Sequence, residues 1–227
     1  MRMSDVSLLL SRRWLAVLGA SFAALMAAAW LLTPDLRALL SSDLVERLDL
    51  AAWNHAHALA TPGVLRAATL SNDLHGTLGI LALTAAAAWI WHRGRQPEPC
   101  VRLLAAVPAG MLLNVLVKTV IDRARPSWAI VDLPLSASFP SGHVAEATVF
   151  YGSLAIETAR RQKHRLRQAL CVAAAAATIA IVAFSRIVMG VHFLSDCIGA
   201  LGEGGLWLAA CFSSSPLVRA AARSGSR

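Results

Sequence analysis

The stretch FPSGHVAEATVF, residues 139–150, sets a proline, a serine, a glycine and a histidine at the mouth of an apolar run. Polar groups taken out of water cost free energy unless they find partners. An apolar segment that opens on flexible and titratable groups is therefore expected to use them, because ionisable residues in such a segment are functional by default.

Working outward, the rest of the chain has the same preference of solvent. Of its 227 residues 57% are hydrophobic and 15% charged, and the mean hydropathy is +0.59. That exceeds the apolar content of an ordinary soluble domain. A transmembrane helix needs about 20 mostly apolar residues. Six segments fit this pattern, near 14–33, 75–92, 100–117, 143–159, 168–185 and 190–212, of which the second and fifth look short. The expectation is an all-α bundle of six transmembrane helices forming a single domain over residues 1–227, with no internal repeat and no long polar linker.

A net charge of +8 raises the question of nucleic acid, and the distribution of charge answers it. With the N-terminus inside, Arg2, Arg12, Arg13, Arg93, Arg95, Arg102, Arg160, Arg161, Lys163, Arg165, Arg167, Arg219, Arg223 and Arg227 fall on the cytoplasmic side. Arg37, Arg47, Arg66, Lys118, Arg123, Arg125 and Arg186 fall outside. This bias is what orients a helical membrane protein. RRQKHRLRQ (160–168) reads as a short inner loop, and no nucleic-acid partner is expected. Trp14, Trp30, Trp89, Trp91 and Trp207 lie near the ends of spans, as an interfacial aromatic belt requires. The first span exceeds the length of a signal-peptide core and reads as an uncleaved helix. Cys100, Cys171, Cys197 and Cys211 have neither paired nor metal-type spacing and read as small packing residues.

Between the first two spans, SSDLVERLDLAAWNHAHALATPG (41–63) reads as a short helix along the membrane surface. Asp43 and Glu46 resemble a capping box, and Leu44, Leu48 and Ala51 share a face. His55 and His57 on it read as solvated groups.

Three polar clusters emerge on one side of this topology: VKTVIDRARPSW (117–128), FPSGHV (139–144) and FSRIVMGVHFLSD (184–196). Lys118, Arg125 and Arg186 are cations suited to phosphate oxygens. Ser141 and Gly142 place a hydroxyl and backbone amides at a helix N-terminus, a ready anion site. His192 and Asp196, four apart, share a helical face, so that the carboxylate holds one ring nitrogen while the other points into the site as a nucleophile. His143 is a second imidazole, placed to protonate a leaving oxygen. Arg123 and Glu146 are candidates for supporting roles, Glu146 as a partner of Arg123 or of a hydroxyl. Glu203, within GALGEGG, reads as a packing or pairing group near mid-membrane.

These residues carry a resemblance to the type 2 phosphatidic acid phosphatase (PAP2) family. Lys118 to Pro126 reads K-x6-R-P, Pro140 to His143 reads P-S-G-H, and Ser185 to Asp196 reads S-R-x5-H-x3-D. The motif-bearing region is 118–196. The resemblance implies a metal-independent phosphatase without a cofactor. His192 would form a phosphohistidine, Asp196 would fix its tautomer and His143 would act as general acid. Lys118, Arg125, Ser141, Gly142 and Arg186 would hold the phosphoryl oxygens. No grouping of His, Cys and carboxylates has metal-ligand spacing.

The implied partner is a lipid phosphate in the membrane. By family analogy undecaprenyl diphosphate is the first expectation, with phosphatidylglycerol phosphate, phosphatidic acid and the 1-phosphate of lipid A as alternatives. The expected location is a bacterial cytoplasmic membrane, with both termini inside and the site facing out. An anion transporter would show paired broken helices, and a non-catalytic scaffold would have no use for an intact catalytic set. The hydropathy of the chain argues against the soluble acid phosphatases and haloperoxidases of the same family. Oligomeric state is not encoded in these patterns.

Overall fold

The structure is a computed structural model and describes residues 12–133 and 135–213; Arg2, Arg219, Arg223 and Arg227 lie outside the described residues. Nine helices and no strands occur among the described residues: α1 (Arg12–Leu31), α2 (Thr33–Leu40), α3 (Asp43–Ala58), α4 (Pro62–His75), α5 (Thr77–Arg93), α6 (Pro97–Ile121), α7 (Gly142–Ala159), α8 (Arg165–Val188) and α9 (Leu194–Ser213). The chain is an all-helical membrane protein.

The lengths of these helices follow local chemistry. Pro97 opens α6, where its missing N–H is no loss. Asp122 closes the same helix in the left-handed conformation, φ 49°, and its N–H returns to the Lys118 carbonyl. Pro126, which has no backbone N–H to donate, lies in the non-helical stretch that follows. The fifth predicted span is longer than its apolar run: Arg165 and Arg167 are polar yet helix-competent, and the helix continues through Arg186 to Val188, so α8 extends to 24 residues. The second is preceded by α4, and α4 with α5 forms a single bent element with 63° between its halves.

Trp14–Leu31 in α1, together with α6 and α8, are long and apolar enough to cross a membrane, and the bent pair α4–α5 makes a fourth candidate. The count of six rests on α7 and α9. These are 18 and 20 residues long, but α7 carries His143, Glu146 and Glu157, and α9 carries Asp196 and Glu203. Residues at the site, and Glu157 at the far end of α7, lower their hydropathy.

The surface helix differs from expectation at its start. Ser42 occupies the N-cap of α3, and neither it nor a capping box closes the first turn: the Ser42 hydroxyl donates instead to the Leu39 carbonyl at 2.7 Å. Leu44, Leu48 and Ala51 do share a face, which is exposed, while Asp49 and Ala56 are buried on the other. His55 is exposed, with Nδ1 2.7 Å from the Ala51 carbonyl oxygen, and His57 stacks on Trp53.

α7 occupies the middle of the bundle, against α6, α8 and α9. Trp207 is buried and donates its indole N–H to the Ala106 carbonyl at 2.8 Å, tying α9 to α6. At the end of the bundle away from the polar clusters, Arg102 pairs with Glu98 and Glu157. Phe212 lies there between the Arg102 and Arg160 guanidiniums, 4.9 and 5.1 Å from its centroid. At the other end the turn from α8 to α9 needs Gly190, at φ +71° with the Trp128 carbonyl 2.9 Å from where a Cβ would stand.

Phe139 is buried against α9 where Gly199 has no side chain, and a methyl there would overlap its ring. Gly199→Ala is expected to cost about 1–3 kcal/mol by overpacking, read as a lower unfolding midpoint in detergent. It should also reduce activity, because Phe139 leads directly into Pro140–His143.

Candidate active site

The three motif clusters meet over a cavity of about 800 Å³. Lys118 reaches it from the last turn of α6, Arg125 from the following loop, Gly142, His143 and Glu146 from the start of α7, Arg186 from the end of α8, and His192 from the turn before α9. Helix ends converge here because each motif marks a helix terminus in the sequence.

His192 does not lie on the helix expected for it. It precedes α9, and the pairing with Asp196 is made across the turn, with Nδ1 3.3 Å from Oδ2. The Phe193 amide donates to the same oxygen at 2.9 Å, closing the turn, and Ser138 Oγ donates to it as well. Asp196 is fully buried, so these partners fix the tautomer: Nδ1 carries the proton and Nε2 keeps its lone pair. On that side stands Arg125, Nη1 3.4 Å from Nε2. The guanidinium is itself held by the carbonyls of Ser136 and Val191, at 2.8 and 2.9 Å.

Burial sets the charge of His192. Desolvation pulls its pKa down from 6.5 to about 4, against the opposing pull of Asp196, and the cations Lys118 and Arg125 add to the lowering. A neutral imidazole with a free lone pair is a nucleophile at pH 7. Burial likewise lowers Arg125, with Asp196 opposing.

The remaining cations are aimed by backbone and amide oxygens. Lys118 Nζ donates to the carbonyls of Ala137 and Ser138 at 2.8 and 3.2 Å. Arg186, 2% exposed, donates to Asn72 Oδ1 at 2.6 Å, and His143 Nε2 lies 3.3 Å from the Asn72 carbonyl oxygen. Asn72 thus orients two site residues from α4. Ser141 departs from expectation: its amide donates to the Asp196 carbonyl at 3.1 Å and is not free for an anion, and its hydroxyl is buried without a protein partner. Gly142 lines the cavity.

Glu146 lines the cavity but does not pair with Arg123. Arg123 is absent from this lining; its side chain is 14% exposed, lines a neighbouring cavity with Asp49 and bridges Asp196 and Asp49, at 2.6 and 3.0 Å. Glu203 accepts from Asn114 Nδ2 at 2.8 Å, the pairing role expected of it. Asp49, Asn72, Asn114, Ser138 and Ser195 were not singled out in the sequence. Their one signal is polarity inside apolar or surface-helix segments, with Ser138 standing next to the Phe-Pro-Ser-Gly-His run. Among the described residues no group of three or more His, Cys, Asp or Glu side chains is arranged to hold a metal ion.

Residues 99–219 match the sequence profile of the PAP2 superfamily. The chain belongs to this superfamily. A 94-residue part is 35% identical to phosphatidylglycerophosphatase B of Bacillus subtilis (strain 168), covering 41% of the chain and 46% of that relative, so the match spans about half of the relative's length. The fold is similar to the crystal structure of a transmembrane PAP2 type phosphatidylglycerolphosphate phosphatase from Bacillus subtilis, with a TM-score of 0.72 at 24% identity over 83% of this chain and 94% of the other. Aquifex aeolicus LpxE is similar with a TM-score of 0.56 at 22% identity, over 74% and 94% of the two chains.

With the pKa of His192 depressed, the pH profile of a reaction that uses its lone pair has a defined sign. The free imidazole persists as pH falls below 6.5, and kcat/KM should lose its acid limb nearer pH 4, as a pH–rate profile of the PAP2 protein would report. The unfolded chain takes up this proton first, so the contribution of His192 to stability is present above pH 6.5 and is lost as pH falls toward 4.

Proposed function

We propose that the protein hydrolyses a phosphate or diphosphate ester of a membrane lipid, through a phosphohistidine on His192. The observation that carries this is the oriented imidazole: Nδ1 is held by Asp196 while Nε2 stands beside Arg125 in a cavity that Lys118, Arg186 and His143 also line. Nε2 attacks phosphorus, and the bond to the leaving oxygen breaks as His143 supplies its proton. Water, activated by the same His143, then attacks the phosphohistidine and releases phosphate. Lys118, Arg125 and Arg186 face the charge that develops on the phosphoryl oxygens, with Gly142 at the N-terminus of α7 and Ser141 behind it. No step calls on a metal ion.

The lipid is drawn from a bacterial cytoplasmic membrane, with the site on its outer face. The bias of basic residues supports this orientation. Two substrates lead. Family resemblance favours undecaprenyl diphosphate, and the 35% identity to phosphatidylglycerophosphatase B favours phosphatidylglycerophosphate.

Phosphate release by the purified protein in detergent, with chelator present, tests both levels of this reading. Activity on one of these lipids is expected, together with its loss in a folded His192→Ala variant and a phosphorylated histidine in acid-free quenches of the wild type. Inactivity on undecaprenyl diphosphate, phosphatidylglycerophosphate, phosphatidic acid and lipid A would overturn the phosphatase reading. Activity that requires added magnesium would overturn the mechanism.

A further inference from the structure

Asp49 lies on the surface helix α3, outside all three motifs, yet it is only 2% exposed. A buried carboxylate must have partners, and those of Asp49 lead to the nucleophile. Its Oδ1 accepts the Ser195 amide at 2.8 Å, and its Oδ2 accepts Ser195 Oγ at 2.7 Å and Arg123 Nη2 at 3.0 Å. Arg123 reaches on through Nη1 to Asp196 Oδ1 at 2.6 Å and to Ser195 Oγ at 2.7 Å, and lies over the Phe193 ring, 4.0 Å from its centroid. Phe193 precedes α9 and Ser195 lies in its first turn, both between His192 and Asp196 in sequence. One guanidinium is thus shared by two buried carboxylates, one of which holds the nucleophilic imidazole.

We propose that Asp49 is a positioning residue, which shares Arg123 with Asp196 and pins the first turn of α9, so that Asp196 keeps the charge and the direction needed to orient His192. The proposal deepens the phosphatase reading, since it rests on His192 as nucleophile. The physical reason is a division of charge. Facing two carboxylates, Arg123 neutralises neither fully. Without the charge of Asp49 its whole field falls on Asp196, which then holds the Nδ1 proton less strongly and stabilises a charged ring less. The other charged or titratable groups about His192 are Lys118 from α6, Asp122, Arg125 and Asp132 from the stretch after it, His143 and Glu146 from α7 and Arg186 from α8. None of them makes a hydrogen bond or ion pair with the side chain of Asp49 or Arg123, so an Asp49 substitution leaves them as they are.

Asp49→Asn keeps the shape and removes the charge. In the purified full-length protein it is expected to lower kcat by about tenfold or more, as a small misplacement of a reacting group does, with KM changed by less than about twofold because no phosphate-holding group is touched. The acid limb of kcat/KM should move to lower pH, and 15N NMR of labelled histidine should show the His192 ring titrating at lower pH with a weakened Nδ1–H bond. Asp49→Glu, which retains the charge, should recover part of both. Unchanged kcat, pH profile and His192 resonances in a folded Asp49→Asn would overturn the proposal, as would a lowered melting temperature with those readouts unmoved, which marks a merely structural tie. Should Asp49→Asn fail to fold, Arg123→Gln removes the shared cation instead; Asp196 then holds the Nδ1 proton more strongly, so the His192 resonances are expected to titrate at higher pH, and an unmoved titration would overturn the proposal. The NMR arm needs no turnover, so a wild type inactive on every lipid would defeat the phosphatase reading while this arm still decides the role of Asp49.

Discussion

Asp196 is the constraint on which this structure turns. A carboxylate with no exposure to solvent must have its charge met by donors, and four donors from two connections of the chain meet it. The donors are the His192 ring across the α8–α9 turn, the Phe193 amide, the Ser138 hydroxyl from the loop before α7 and the Arg123 guanidinium from the loop after α6. The Asp196 carbonyl in turn accepts the Ser141 amide at the entrance to α7. Satisfying one buried charge therefore gathers both motif loops against the start of α9. The catalytic geometry and the local packing are one arrangement.

The cavity beside this carboxylate combines two demands. For the proposed reaction, cations must converge closely enough to share phosphoryl oxygens, yet they repel one another when crowded. Each is held apart by its own oxygens: Lys118 by Ala137 and Ser138, Arg125 by Ser136 and Val191, and Arg186 by Asn72. These anchors are mostly backbone carbonyls and an amide, which direct a cation without neutralising it. A set of carboxylate partners would have cancelled the charge the site needs.

Much of this was legible in the chain alone. Apolar content and the bias of basic residues led to a helical membrane protein, and the three motifs led to Lys118, Arg125, His143, Arg186 and His192, which line one cavity, because each of those signals is local. What the spacing could not show was less local. The i, i+4 interval of His192 and Asp196 suggests a helix, but a turn satisfies it equally well. Ser141 was read as offering a free amide because nothing in the sequence says that the carbonyl of Asp196 lies opposite. α7 and α9 differ from the other spans because the site's own charges sit in them, and a hydropathy average cannot separate a polar wall from a weak span.

The amino-acid sequence by itself determined the solvent, the helical class and the identities of the groups facing the cavity, since composition, period and motif residues are properties of short windows. Only the tertiary structure decided who holds those groups. Asp49 and Asn72 are polar residues on α3 and α4, between 71 and 146 positions from the residues they orient. Neither has a neighbour in sequence that marks it. Their roles arise from burial beside Arg123, Ser195 and Arg186, and burial is a property of the folded chain.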